Sequence, residues 1–225
     1  MTSQWCMHEG RTVLLVEGEN DCHVVLALCS KFSLPEVFGI YQCGSDSQAI
    51  RRLNALILKS DRPDIIGLVV DADSPDLSGR WQSVRNKLAH YPYQLPNQPD
   101  PLGTVVEGVD DLPKLGFWLM PNNQDAGMLE DFCGEMVPPA EMAVVEQCVV
   151  HAEIHGCATF KAVHRSKALI HTYLALQDEP GRPLGQAITA NSLRSNTATA
   201  TAFSGWLLRL FTSPGTVVQP ASTAV

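Results

Sequence analysis

Nowhere does the 225-residue chain approach the roughly 18 uninterrupted apolar residues of a membrane-spanning helix. The polar segment Met1–Arg11 has no apolar core of the kind that marks a secretory signal, so none is expected. Cations are scarce, with 16 Lys and Arg against 24 Asp and Glu and a formal net charge of -8. That deficit argues against coating nucleic acid in the histone manner, which needs many cations, but leaves a local basic groove open. The 7 Cys are odd in number and contain no C-x-x-C. Free thiols in a reducing cytoplasm are therefore expected rather than a disulfide framework. Neither G-x-x-x-x-G-K-[ST] nor G-x-G-x-x-G occurs, so P-loop and dinucleotide-binding readings lack support.

What is present is an ordinary globular composition, 45% hydrophobic, in a chain long enough for one large domain with a substantial core. Apolar runs alternate with helix-like stretches through the first half. Thr12–Val16 reads as a strand buried on both faces. A helix follows over residues 20–31, with Asn20 as its candidate N-cap. Val37–Gln42 reads as a second strand, and Ser45-Asp-Ser47 caps a helix reaching about Lys59. Ile65–Val70 is the most strand-like run, and Trp81, Val84 and Leu88 place a helix over 77–90. Such alternation implies βαβ units and a mostly parallel sheet flanked by helices, an α/β fold. Short strands are expected at 104–107 and 117–120, after a Pro-rich loop over 92–103. Helices are expected over 128–136, 139–155, 160–176 and 202–211. This divides the chain into an α/β domain (1–137), a helical C-terminal region packed on it (138–211) and a flexible Ser/Thr/Pro-rich tail (212–225).

Two acidic segments stand at strand ends. Glu17-Gly-Glu-Asn-Asp21 follows the first strand, and Asp71-Ala-Asp73 follows the third. Carboxylates there point into the crevice where α/β proteins bind ligands. Asp71 and Asp73, two apart in extended chain, share a side. Several carboxylates converging would repel unless a cation lay between them, and hard oxygen donors suit Mg²⁺ or Mn²⁺. The plainer reading makes these residues turn formers and helix caps, Asp21 in particular.

Leu14-Leu-Val-Glu17-Gly-Glu-Asn-Asp21 and Gly67-Leu-Val-Val-Asp71-Ala-Asp73 resemble the two signatures of the Toprim domain. That superfamily spans topoisomerases, primases, recombination mediators, RNA-maturation nucleases and overcoming-lysogenization-defect nucleases. The match covers about residues 11–90. Asp71-Ala-Asp-Ser-Pro, Gly79-Arg-Trp81 and Leu129-Glu-Asp-Phe132 also resemble stand-alone bacterial Toprim-like proteins of unknown function. The resemblance implies that Glu17 is a general acid or base or a metal ligand, and that Asp71 and Asp73 hold Mg²⁺. It also implies a later acidic residue after a small-residue loop, for which Glu130 is the candidate. The catalytic set is then Glu17, Asp21 and Glu130, and the metal set Glu17, Asp71 and Asp73.

The densest basic run, Lys161-Ala-Val-His164-Arg165-Ser-Lys167, offers Lys161 and Arg165 as phosphate contacts, against the reading of a solvated helix face. Cys148, His151, His155 and Cys157 have spacings that suggest zinc, but core packing is favoured. Trp81, Trp118 and Trp206 are expected in the core. Gly44-Ser-Asp-Ser47 is expected to be a capping turn rather than a phosphate nest.

The chain is too small for a topoisomerase or primase, so hydrolysis by an activated water needs the fewest further parts. The leading expectation is a cytoplasmic, Mg²⁺-dependent nuclease acting on DNA or RNA, with a homodimer or protein partner left open. One alternative is a catalytically inactive Toprim-like interaction module. The other is a haloacid-dehalogenase-type phosphatase, which would put the Asp pair on its first strand and leave Glu17 unused.

Overall fold

A computed structural model of the chain describes residues 6–8, 10–73 and 76–212. The expected flexible tail therefore lies, beyond Thr212, outside the described residues. Five strands form one sheet, β1 (Thr12–Val16), β2 (Gly39–Gln42), β3 (Ile65–Asp71), β4 (Thr104–Val106) and β5 (Lys114–Met120). Their order is β2-β1-β3-β5-β4. All neighbours run parallel except β4, an antiparallel edge strand against β5. The helices that alternate with the first three strands are α1 (Glu19–Lys31), α2 (Asp46–Leu58) and α3 (Leu77–Leu88). After β5 come α4 (Leu129–Gly134), α5 (Pro139–Ile154), α6 (Arg165–Ala175), α7 (Leu184–Thr189) and α8 (Ala198–Phe211). The chain is thus an α/β protein with a mostly parallel sheet flanked by helices and a helical C-terminal region. No described helix is long and apolar enough to cross a membrane.

Side chains alternate across each strand, so β1 feeds two cores. Val13 and Leu15 pack with Ile50, Leu53, Trp81 and Val84 under α2 and α3. Leu14 and Val16 pack with Val24, Leu28, Phe132, Phe203 and Trp206 on the opposite face. The C-terminal helices share this second core with α1 and the sheet, so they have no separate core of their own. Trp81, Trp118 and Trp206 are all fully or nearly fully buried, as expected of core residues. The Trp206 indole N–H donates to the Thr104 carbonyl, which satisfies its polar edge inside the core (3.3 Å).

Paired glycines seat α8. Gly67 on β3 lies opposite Gly116 on β5, and Leu210 of α8 fills the space that side chains would occupy. A Cβ at Gly116 would lie 2.4 Å from Leu210 Cδ2, and one at Gly67 would lie 3.0 Å from the same atom.

Several boundaries differ from the sequence expectation for local physical reasons. β5 begins at Lys114 rather than Phe117, because its register against β3 runs unbroken from the pair Ile65–Lys114. The expected helix over 160–176 begins only at Arg165, and residues 162–164 form a separate 3₁₀ turn. α8 starts at Ala198 rather than Ala202, with Thr197 accepting from the Ala200 N–H at 3.3 Å. Helix α7 has no apolar period long enough to announce it. Gly18, not Asn20, is the N-cap of α1.

The cysteine expectation needs correction. Cys6 and Cys22 are joined in a disulfide, with Cα atoms 5.9 Å apart, while Cys29, Cys43, Cys133, Cys148 and Cys157 are free. Met7 bridges Tyr41 in antiparallel fashion, and the His8 N–H donates to the Ile40 carbonyl at 3.1 Å. These contacts lay residues 6–8 along the outer edge of β2 and bring Cys6 onto α1, a juxtaposition that sequence spacing does not reveal.

The glycine notch yields a stability test. Gly116→Ala should destabilise the protein by about 1–3 kcal/mol through overpacking. In a double-mutant cycle by urea unfolding, Leu210→Ala should cost less in the Gly116→Ala background than in the wild type. Additive losses would show that the two positions do not compete for the same space.

Candidate functional site

The C-terminal ends of β1 and β3, which are adjacent and parallel, set two acidic segments side by side. Glu17 directly follows β1, and Asp71 is the last residue of β3. The Asp71 N–H donates to Glu17 Oε1 at 2.7 Å, so the two segments are in direct contact. The Asp71 carboxylate in turn accepts from the Leu129 N–H at the start of α4 (3.0 Å). That bond, with the Ala72 N–H donating to the Gly127 carbonyl (2.8 Å), ties the loop before α4 to the end of β3. Glu130 is thereby carried to the same place and is 6% exposed.

Asp21 reaches the cluster from the first turn of α1. Its Oδ2 accepts from the Gly18 N–H at 3.0 Å, the carboxylate half of a capping box. Asp21 is therefore not the N-cap expected of it but the N3 residue whose side chain serves the Gly18 N-cap, and that role coexists with membership of the cluster. Asp131 performs the same service for α4, accepting from the Met128 N–H at 2.8 Å.

Burial and crowding raise the proton affinity of Asp71, Asp21 and Glu17. Asp71 is pushed up to about 9, first by burial and then by the charges of Glu17, Asp21, Glu130 and Asp73. Asp21 is pushed up to about 7, by burial and then by Glu17. Burial also raises Glu17, with the Asp71 N–H pulling the other way. Cys133, buried beside Glu130 and Asp21, has a thiol held well above its ordinary range, mainly by burial, so it stays protonated and inert.

Two cations flank the cluster, and the sequence reading selected neither. Lys167 Nζ lies 3.6 Å from Glu130 Oε1. Arg80 is buried, donates Nε–H to the Asp71 carbonyl at 2.9 Å and pairs with Asp46 of α2. Lys167 was hidden by the expected helix over 160–176, which put Lys161, His164 and Arg165 on one face. In the structure α6 begins at Arg165, Lys161 stands exposed before the 3₁₀ turn, and Arg165 pairs with Glu153 of α5 at 3.6 Å. Ser45 Oγ accepts from the Gln48 N–H at 3.3 Å, so the Gly44–Ser47 segment is a capping turn.

The structure thus brings Glu17, Asp21, Asp71, Asp73 and Glu130 into one electrostatic neighbourhood and joins Lys167 to it. The donor set, hard carboxylate oxygens with little compensating positive charge, suits a divalent cation in kind. Among the described residues, however, no three His, Cys, Asp or Glu are grouped so as to hold a metal. Glu17 and Asp71 instead direct an oxygen each at a backbone N–H. The same holds for the zinc candidates. The His151 and His155 rings lie tilted to one another with centroids 4.3 Å apart, and Cys148 and Cys157 are exposed rather than packed in the core as expected.

The fold and site define an α/β protein with an acidic centre at the carboxyl ends of adjacent parallel strands. Residues 11–212 match the family described as Protein of unknown function (DUF3226), and the chain belongs to that family. No curated protein and no solved structure matches it.

The raised carboxyls predict a pH dependence. A carboxyl with higher proton affinity in the folded state gives the folded chain more bound protons than the unfolded one, so stability falls as pH rises through that window. For Asp71 the window runs from 3.8 to about 9, and for Asp21 from 3.8 to about 7. Asp71→Asn, whose amide oxygen can still accept from Leu129, should be more stable than the wild type at pH 8 without divalent cations. Urea unfolding should show that advantage shrinking toward pH 4. A variant equally destabilised at both pH values would contradict the electrostatic origin of the effect.

Proposed function

We propose that the protein carries out Mg²⁺- or Mn²⁺-dependent phosphodiester chemistry of the Toprim type, as a nuclease acting on DNA or RNA. The observation that carries this reading is the contact between the two acidic segments, Glu17 against Asp71, at the ends of neighbouring parallel strands. A surface charge pattern does not produce it. Burying several carboxylates together costs stability, and a site that gains from a bound cation accounts for that cost.

In this reading Glu17, Asp71 and Asp73 hold the metal. When bound, it supplies Lewis-acid polarisation of a phosphoryl oxygen. Glu17 accepts the Asp71 N–H on Oε1, and its other carboxylate oxygen can serve as the ligand. Asp21, pushed up to about 7, is the first proton-transfer candidate for an attacking water, because a group that holds its proton near neutral pH can both take and give one; Glu130, beside Lys167, is the second by position. Lys167, half-exposed beside Glu130, is placed to offer positive charge to a phosphate. It takes over the role first expected of Lys161 and Arg165. The net charge of -8 is compatible with a polyanionic substrate if only this approach is basic.

The second reading, a catalytically inactive Toprim-like interaction module, has its own support. Glu17 and Asp71 already have backbone partners, and the carboxylates stop short of a closed metal-holding group. The phosphatase reading is the poorest, because it gives Glu17 no task although Glu17 touches Asp71.

Incubation with single- and double-stranded DNA and RNA, each with Mg²⁺ or Mn²⁺, separates these readings. The nuclease reading expects cleavage by the wild type, its loss in Asp71→Ala, and a fall of about a hundredfold or more in Glu17→Gln. An inert wild type on every substrate with either metal would favour the module.

A further inference from the structure

Helix α5 is apolar around most of its circumference, yet only Val145 and Val149 of its 16 residues are buried. Val144, Val150 and Ile154 are 56%, 41% and 74% exposed. A helix of this composition is normally enclosed, and contiguous exposed apolar surface marks an interaction site. Ala143, Glu146, Gln147, Val150, His151 and Ile154 line one shallow groove along it. The site proposed above plays no part here.

The pattern within that groove says what covers it. Ala143, Gln147, Val150 and Ile154 recur at spacings of four, three and four, the seam of a two-helix pairing. Glu146 and His151 flank the seam on opposite sides. In a parallel pair of identical helices, a residue on one flank meets the partner's residue five positions further on the other flank. Glu146 then meets His151 of the other copy, twice by symmetry. Gln147 meets its own counterpart, and two facing amides can each donate and accept. An antiparallel pair loses both features, because the register that buries the Gln147 amide against Val150 sets Glu146 beside Glu153 of the other copy, a like charge. Among the described residues, the side chains of Glu146 and Gln147 make no hydrogen bond or ion pair within the chain.

We propose that α5 is a self-association face, pairing in parallel with α5 of a second copy about a two-fold axis along the helices. Sedimentation equilibrium of the full chain tests this. The wild type is expected to be a dimer. Ile154→Asp, at an exposed position that leaves the core untouched, should raise the dissociation constant roughly tenfold or more, with an unchanged circular dichroism spectrum. Glu146→Lys should weaken the dimer, and the swap Glu146→Lys/His151→Glu should restore it. A monomeric wild type, a dimer that Ile154→Asp leaves intact, or a charge swap that fails to restore association would each overturn the proposal.

Discussion

Mutual repulsion among Glu17, Asp21, Asp71, Asp73 and Glu130 is the constraint around which this end of the molecule is built. Each of the buried carboxylates is met by something that offsets its charge in part. The Asp71 and Gly18 N–H groups serve Glu17 and Asp21, the Leu129 N–H serves Asp71, and Lys167 serves Glu130. Two of these donors stand at the N-termini of α1 and α4, where partial positive charge favours nearby anions. The compensation is incomplete, and the consequence is carboxyl groups that keep protons at a pH where exposed ones would not.

The rest of the fold holds those groups in place. β1 and β3 are enclosed on both faces, so the positions of Glu17 and Asp71 follow from a rigid sheet rather than from loops. Arg80 ties the end of β3 to α3 and, through Asp46, to the first turn of α2. On the other face α8 settles into the glycine notch, with Phe211 stacked on Phe38 at a centroid distance of 4.2 Å. α4 and α6 pack together so that Glu130 of one meets Lys167 of the other. The C-terminal helices therefore complete the site as well as the core.

The parts of this arrangement that could be read from sequence are those set by local pattern. Three apolar runs alternating with amphipathic helices specified β1, β2 and β3, and a strand end followed by an acidic residue singled out Glu17 and Asp71. What escaped notice depends on contacts distant in sequence. Arg80 looks like any helical arginine until α2 supplies Asp46. Lys167 enters the site because α6 begins at Arg165, a boundary that the continuous pattern from Phe160 concealed. Cys6 and Cys22 pair because an edge-strand bridge at Met7 delivers one to the other. Composition pointed to α5 only as a helix, and its unburied apolar face emerged once α6 was seen to cover just one side of it.

Calorimetric titration of Mg²⁺ and Mn²⁺ into the full chain, repeated at neutral pH in buffers of different ionisation enthalpy, tests the central claim most directly. Carboxyls that hold protons in the free protein must release them to bind a cation. Saturable binding is therefore predicted, with an apparent enthalpy that varies with the buffer because protons are released, and both should be lost in Asp71→Ala. Absence of binding by either ion, or binding without proton release, would contradict the account of a strained carboxylate centre that a divalent cation relieves.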